Sequence, residues 1–313
     1  MRLKVVILSA GKGTRMKSGL IKVAHEVGGQ PIVRYVCDAV SQLRRLDGIM
    51  MVVGYQADVV RQVVNDDRVQ YVMQEAQLGT GHAVLQAESH MDLKEDEHVL
   101  VLAGDVPLIQ ANTLNQLVDT HIKDEAFATV LTADIPDAGT YGRILRDSGG
   151  DVVGIREAKD CTPEEKRITE FNTGIYLFRS QALFSALKGV NTENSQGEYY
   201  LTDVIEGLQK QGRRISALCI ADVNEIQGIN TRMDLAKVNQ VIYDQTNEQL
   251  MASGVTLLDP SSTFIDRGVE IGQDTIIYPF CVIQGASKIG KNCVIRSHQE
   301  LVDQTIPDNK VVS

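Results

Sequence analysis

No stretch of this 313-residue chain approaches the roughly 18 consecutive apolar residues that a membrane-spanning helix requires. The first apolar run, "VVIL" at residues 5–8, is also shorter than the core of about 7–15 residues in a secretory leader, and the cationic "GKGTRMK" follows closely. There is no CxxC pair. Cys37, Cys161, Cys219, Cys281 and Cys293 are scattered and odd in number, as expected of a reducing, cytoplasmic compartment. The six histidines show no metal-ligand spacing, so a zinc site is not indicated. Net positive charge is missing too: 31 Lys+Arg against 41 Asp+Glu leaves −10, which opposes a sequence-independent grip on nucleic acid.

One region inverts that balance. Residues 1–25 contain no carboxylate but six cations, Arg2, Lys4, Lys12, Arg15, Lys17 and Lys22, and the first acid is Glu26. In an acidic chain this asymmetry points to a small anionic ligand near the N-terminus.

The length suggests two domains, and two rhythms divide the chain. Up to about residue 250, β-branched runs alternate with amphipathic stretches. "LKVVILSA", "GIMMVVG", "VQYVMQ", "EHVLVLAG" and "FATVLTADI" read as strands. "PIVRYVCDAVSQLRRL", "ADVVRQVVN", "GHAVLQAESHM" and "NTLNQLVDTHI" read as helices. This alternation predicts right-handed crossovers and a mainly parallel sheet covered on both faces. "GRILRD", "DVVGIREA" and "TGIYLFR", with "DSGGD" as a turn, predict an antiparallel flap over the sheet edge.

Beyond residue 255 the period becomes six. Ile265, Ile271, Ile277, Ile283, Ile289, Ile295 and Leu301 are in register. Two positions before each stand Thr263, Val269, Thr275, Cys281, Ser287, Cys293 and Gln299, mostly small. Six fits neither a helix nor a simple strand. It fits a parallel β-helix in which each hexapeptide forms one side of a triangular coil with its aliphatic inward. Seven units make a little over two coils, and Cys281 and Cys293 fill small-residue slots without a redox role.

In open α/β sheets ligands bind beyond the carboxyl ends of the strands, which places "SAGKGTRMK" at a candidate site. Gly11 and Gly13 permit positive φ and close approach of backbone N–H groups to phosphate oxygens. Lys12, Arg15 and Lys22 supply charge to neutralise a triphosphate. The stretch lacks the GxxxxGK[ST] spacing, and Met16 stands where GxGxxG needs its third glycine.

"LSAGKGTRMKSGLIKVAHEVGGQPI" closely resembles the L-x-A-G-x-G-T-R-M signature of sugar-1-phosphate nucleotidylyltransferases. "QEAQLGTGHAV", "LAGDVPLI", "YGRI", "EFNTGIY" and "GINTRMDL" follow in the order found in bacterial N-acetylglucosamine-1-phosphate uridylyltransferases, which also carry a hexapeptide coil. The resemblance implies a Rossmann-like nucleotidyltransferase domain over 1–250, α/β with a mainly parallel sheet, and a short left-handed parallel β-helix over 251–313. It implies UTP and N-acetylglucosamine-1-phosphate as substrates, UDP-N-acetylglucosamine and pyrophosphate as products, and Mg²⁺ as cofactor. Leu8, Ala10, Gly11, Gly13, Lys22, Gln74, Gly79 and Thr80 would hold the nucleotide, and Gly104, Gly142, Glu157, Asn172 and Asn230 the sugar. Asp105 and Asn230 would ligate the metal, and Arg15 and Lys22 would stabilise the transition state.

Structural alternatives stand beside these roles. Asn230 or Thr231 caps the following helix, with Asp234 completing a capping box. Gly79 and Thr80 start a helix. Glu157 is a solvated flap charge, Lys22 a surface lysine, and "GDVP" a turn exposing Asp105. The chain also departs from the family pattern. Ile21 replaces the proline before the motif lysine, which is expected to loosen the segment presenting Lys22. Ala103 replaces an aromatic of some relatives, so a sugar contact on that side is not implied.

The acetyltransferase of the longer bifunctional enzymes is not expected from two coils. A naturally short chain and a piece of a longer bifunctional enzyme are both open readings, and "TIPDNKVVS" looks like the closing turn of such a coil. Self-association through the coil edge, as a trimer by analogy, is expected. A glucose-1-phosphate uridylyl- or thymidylyltransferase is an open alternative. So is a non-catalytic sugar-nucleotide-binding module, whose mark would be loss of Lys22, Asp105 or Arg15; all three are present.

Overall fold

The computed structural model describes residues 1–313, which divide into two compact units. The first comprises residues 1–24 and 33–228. It is built on β1 (Arg2–Ser9), β2 (Leu46–Val53), β3 (Val69–Met73), β4 (Glu97–Ala103), β5 (Ala128–Asp134), β6 (Arg143–Arg146), β7 (Val152–Arg156), β8 (Glu170–Arg179) and β9 (Ile215–Ile220). The main sheet runs β9-β5-β8-β4-β1-β2-β3. β1 pairs in parallel with β2 and β4, as β2 does with β3 and β5 with β9.

Side-chain alternation along β1 explains the two-sided core. Leu3, Val5 and Ile7 enter one buried cluster with residues of α1 (Ile32–Ser41), α2 (Ala57–Val64) and α4 (Ala111–Lys123), among them Val36, Val40, Val60, Leu114 and Leu117. Val6 enters the other, with Phe184 of α5 (Ser180–Leu187) and Leu208 of α6 (Asp203–Lys210).

Three expectations change. "TGIYLFR" is not a flap strand, because β8 lies inside the sheet, antiparallel to both β4 and β5. The flap is the β6–β7 hairpin, which pairs with β8 at Arg143 opposite Phe171 and is tied to it by an Arg146–Glu170 ion pair at 2.7 Å. "GHAVLQAESHM" is helical only in α3 (Thr80–Leu85), followed by a 3₁₀ turn at Glu88–His90. Arg2 and Lys4 serve the opposite end of β1 from the Gly-rich loop. Arg2 pairs with Asp92 at 2.8 Å, and the Lys4 ammonium donates to His90 O at 2.9 Å.

The second unit comprises residues 25–32 and 229–313, so a hairpin and α7 (Arg232–Ala252) group with the repeats. Gly28 N–H donates to Asn239 Oδ1 at 2.7 Å, and Asn247 Nδ2 donates to Pro260 O and Thr263 O.

The hexads form three parallel ladders. Val282 pairs with Glu300 and Ile276 with Val294, each eighteen residues on, which is three hexads per turn. The ladders run further than seven hexads imply: one extends from Thr256–Leu257 through to Val311–Val312. Ile265, Ile277, Ile283 and Ile295 are fully buried. The corner residues Asp274, Phe280, Asn292 and His298 have φ of 55–65°. The small slots are satisfied internally: Thr275 Oγ1 donates to Gly290 O at 2.8 Å, and Cys281 Sγ donates to Arg296 O at 3.1 Å. All five thiols are unpaired. No helix is long and apolar enough to cross a membrane.

Candidate active site

The loop after β1 does lie at the carboxyl end of the sheet, beside the ends of β3 and β4. Gly13 is its conformational pivot. Its φ is 63°, and a Cβ there would lie 2.6 Å from Lys22 Cβ, so only glycine lets the lysine stem pass. Gly11 has no positive φ and open space around it, so its part of the expectation fails while its backbone stays accessible.

Lys22 is no surface lysine. Its ammonium pairs with the Asp105 carboxylate, and the two side chains are 16% and 15% exposed. Asp105 lies in the turn after β4, and Gly104 before it leaves room for the Ser9 hydroxyl, which a Cβ would meet at 2.3 Å.

Ile21 is anchored, and the expected loosening of the Lys22 segment is not found. The side chain is fully buried, its N–H donates to Gln56 Oε1 at 2.7 Å, and Gln56 Nε2 donates to Gly19 O at 2.8 Å. Proline lacks the N–H that makes the first of these bonds.

Leu8, Ala10, Gly11, Lys22, Gln74, Gly79, Thr80 and Asp105 line one cavity of about 330 Å³. Gln74 is 3% exposed, its amide held between Gly79 O at 3.3 Å and His82 Nδ1 at 3.0 Å. Gly79 has φ 111° and precedes α3, so the helix-start reading of Gly79 and Thr80 holds together with their place in the cleft. Gln77 and Glu198, which the sequence reading missed, also line it. Gln77 Nε2 donates to Ala10 O at 2.7 Å. Gln77 is legible within "QEAQLGTGHAV", whereas Glu198 lies 119 residues beyond Gly79 with no local signal. Arg15 is exposed on a 3₁₀ turn, Thr14–Met16, and is not among the lining residues.

Gly142, Glu157 and Asn172 come together separately. Asn172 N–H donates to Gly142 O at 2.8 Å, and a Cβ on Gly142 would stand 3.5 Å from Glu157 Oε2. The β5–β8 register shifts between Asn172 and Tyr176, a bulge of the kind that re-aims a side chain. Asn172 Nδ2 donates to Tyr176 Oη at 2.6 Å. Glu157 is not a solvated flap charge. Burial raises its carboxyl above the usual range, against a 3.2 Å hydrogen bond donated by Thr202 Oγ1.

Asn230 belongs to the second unit. Its N–H donates to Asp234 Oδ2 at 3.1 Å, and Thr231 and Asp234 form the capping box of α7.

Asp105 supplies a carboxylate oxygen in this cleft, the kind of hard donor that a hydrated divalent cation accepts, and no group of three or more His, Cys, Asp or Glu side chains gathers around it.

Residues 4–249 match the family model described as Nucleotidyl transferase, and residues 268–298 match Bacterial transferase hexapeptide (six repeats). The chain is 46% identical to "Bifunctional protein GlmU" of Syntrophomonas wolfei, over 98% of this chain and 68% of that one. It is 48% identical to the protein of the same name in Halalkalibacterium halodurans, over 98% and 67%. The chain thus spans about two thirds of these relatives. A UDP-glucose pyrophosphorylase solved with UDP-glucose has the same fold at TM-score 0.62 and 16% identity, covering 78% of this chain and all of that one. A putative glucose-1-phosphate thymidylyltransferase from Bacillus anthracis does so at 0.63 and 21%, covering 76% and 94%.

Proposed function

The chain belongs to the nucleotidyl transferase family, and from that premise we propose that it transfers the uridylyl group of UTP to N-acetylglucosamine-1-phosphate. The products are UDP-N-acetylglucosamine and pyrophosphate. The observation that carries this reading is the meeting of Lys22 and Asp105 in a cleft walled by the first loop.

A phosphate oxygen of the sugar-1-phosphate attacks the α-phosphorus of UTP. The new O–P bond forms as the bond to the β-phosphate oxygen breaks, and the electron pair leaves with pyrophosphate. A phosphate monoester with its second pKa near about 6 is largely ionised at neutral pH, so no general base is required. The protein's task is to place two polyanions in line and balance developing charge.

Gln74, with its amide held by Gly79 and His82, reads the base edge. Ala10 and Gly11 offer backbone to the ribose and phosphates. Lys22 leaves Asp105 for the phosphates, and Arg15, on its exposed turn, meets the departing pyrophosphate. Asp105 thereby becomes available to hold Mg²⁺. When bound, the ion supplies positive charge against the phosphate oxygens. Gly142, Glu157 and Asn172 take the sugar, the carboxylate accepting from hydroxyls and the bulged Asn172 facing the acetamido side. The same family resemblance implies a homotrimer, and a solution mass near three times 34.4 kDa supports that assembly while a monomer mass overturns it.

The test is incubation with UTP, N-acetylglucosamine-1-phosphate and Mg²⁺, with products identified by mass. Equal amounts of pyrophosphate and UDP-N-acetylglucosamine, abolished by EDTA, support the reading. UTP left intact with every sugar phosphate overturns it.

A further inference from the structure

The two substrate subsites are joined by one short segment, Glu198–Thr202. On one side it clamps the nucleotide loop. Tyr199 N–H donates to Leu78 O and Gly81 N–H to Tyr199 O, both at 2.8 Å, and Leu201 N–H donates to Thr80 Oγ1 at 3.2 Å. The contact is too close for any side chain at Gly79, where a Cβ would stand 2.7 Å from Tyr199 O. On the other side Thr202, 4% exposed, donates its hydroxyl to Glu157 Oε1 at 3.2 Å.

We propose that Thr202 is a positioning residue for the sugar-phosphate substrate, orienting Glu157 and keeping it an acceptor while its neighbour Leu201 fastens the nucleotide loop.

The surroundings of Glu157 make that hydrogen bond consequential. Burial favours the neutral acid, Asp160 and Asp203 face it with like charge, and the buried Tyr176 hydroxyl stands near. Of the influences on this carboxyl, the Thr202 hydroxyl is the one that favours the charged form. A protonated Glu157 would be a weaker acceptor for sugar hydroxyls, so losing the Thr202 hydroxyl should weaken sugar binding first on the acid side. The nucleotide side should be spared, because its clamp uses backbone N–H groups that any residue at 202 leaves in place.

The inference rests on the sugar role of Glu157 proposed above, and the experiment separates the two. KM for UTP and for N-acetylglucosamine-1-phosphate is measured from pH 6 to 9 for the wild type, Thr202→Val, Thr202→Ser and Glu157→Gln. Thr202→Val is expected to raise KM for the sugar phosphate about tenfold, the scale of one hydrogen bond to a charged group. KM for UTP should stay unchanged, and the pH below which the sugar KM climbs should move upward. Thr202→Ser should restore both. An unaltered sugar KM and pH profile in Thr202→Val overturns the inference, and so does an equal rise in both KM values with no movement of the profile. If Glu157→Gln leaves the sugar KM untouched, the sugar role of Glu157 falls, and the inference with it.

Discussion

Replacing Lys22 with methionine should strengthen, not weaken, divalent-metal binding to the nucleotide-free protein. In that state the Lys22 ammonium occupies the Asp105 carboxylate, with both side chains only about one-sixth exposed. A charge-assisted hydrogen bond in such a setting contributes about 1.5–3 kcal/mol, and an incoming cation has to displace it. Methionine keeps the length and packing of the stem against Gly13 while removing the competing charge. The dissociation constant for Mn²⁺, read by the loss of free-ion EPR signal, should therefore fall roughly 10- to 100-fold. With UTP bound the advantage should shrink or reverse, because the phosphates have then drawn the wild-type lysine away from Asp105. Turnover should nonetheless drop about 10²- to 10³-fold, the usual cost of losing one donor to developing charge. Asp105→Asn in the same background should abolish the gain. Mn²⁺ binding no tighter in Lys22→Met than in wild type would refute the exchange of ammonium for metal.

Other consequences are testable in the same protein. Ile21→Pro should destabilise the first unit by about 2–4 kcal/mol, since it removes a buried aliphatic and leaves Gln56 Oε1 without its donor; an unchanged urea midpoint would contradict this. Burial pushes the imidazoles of His121 and His98 down to about 3 and about 4, below the ordinary 6.5, with Arg179 adding to both and each packed at 3.1 Å from the other. The unfolded chain takes up these protons first, so stability should be full above about pH 6.5 and fall towards pH 4, by at most about 1.4 kcal/mol per pH unit for each histidine. His121→Gln should flatten that slope, and an identical slope in the variant would count against it. Ile283→Ala, at the middle of a coil ladder and fully buried, should cost about 2–5 kcal/mol by denaturant titration of the second unit. Of the five thiols only Cys219 is exposed, so a thiol reagent should titrate one rapidly under native conditions, and five rapid equivalents would contradict the buried slots of Cys281 and Cys293.

The parts legible in the sequence were those whose physics is local and periodic. Alternating strands and helices announced the parallel sheet, and a six-residue period announced three-sided coils, because each depends on spacing along a few dozen residues. β8 was misplaced for the opposite reason. Its partners β4 and β5 are distant in sequence, and nothing in "TGIYLFR" distinguishes a flap strand from an interior antiparallel one. The region of α5, α6 and β9 is not legible in the sequence, although Val204, Ile205 and Leu208 keep helical spacing, since "NTENSQGEYYLT" between the two helices hides their boundaries.

The resemblance names the nucleotide residues, and the fold brings the loop after β1 and "QEAQLGTGHAV" to one cleft. The pairing of Lys22 with Asp105, 83 residues apart, required the fold. Ile21 reverses its expectation because backbone freedom is only one influence on the segment. Burial and the Gln56 hydrogen bond, both tertiary, hold the segment instead. Of the six N-terminal cations, Arg2 and Lys4 proved structural, which strand direction explains: they enter β1 at the end away from the cleft.

The most direct test of the central claim is the ratio of kcat/KM for N-acetylglucosamine-1-phosphate over glucose-1-phosphate, measured as pyrophosphate release from UTP with Mg²⁺, beside an Asp105→Ala control. A ratio well above one, with release lost in the control, is the predicted result. Equal or greater turnover of glucose-1-phosphate, or undiminished release without Asp105, would contradict it.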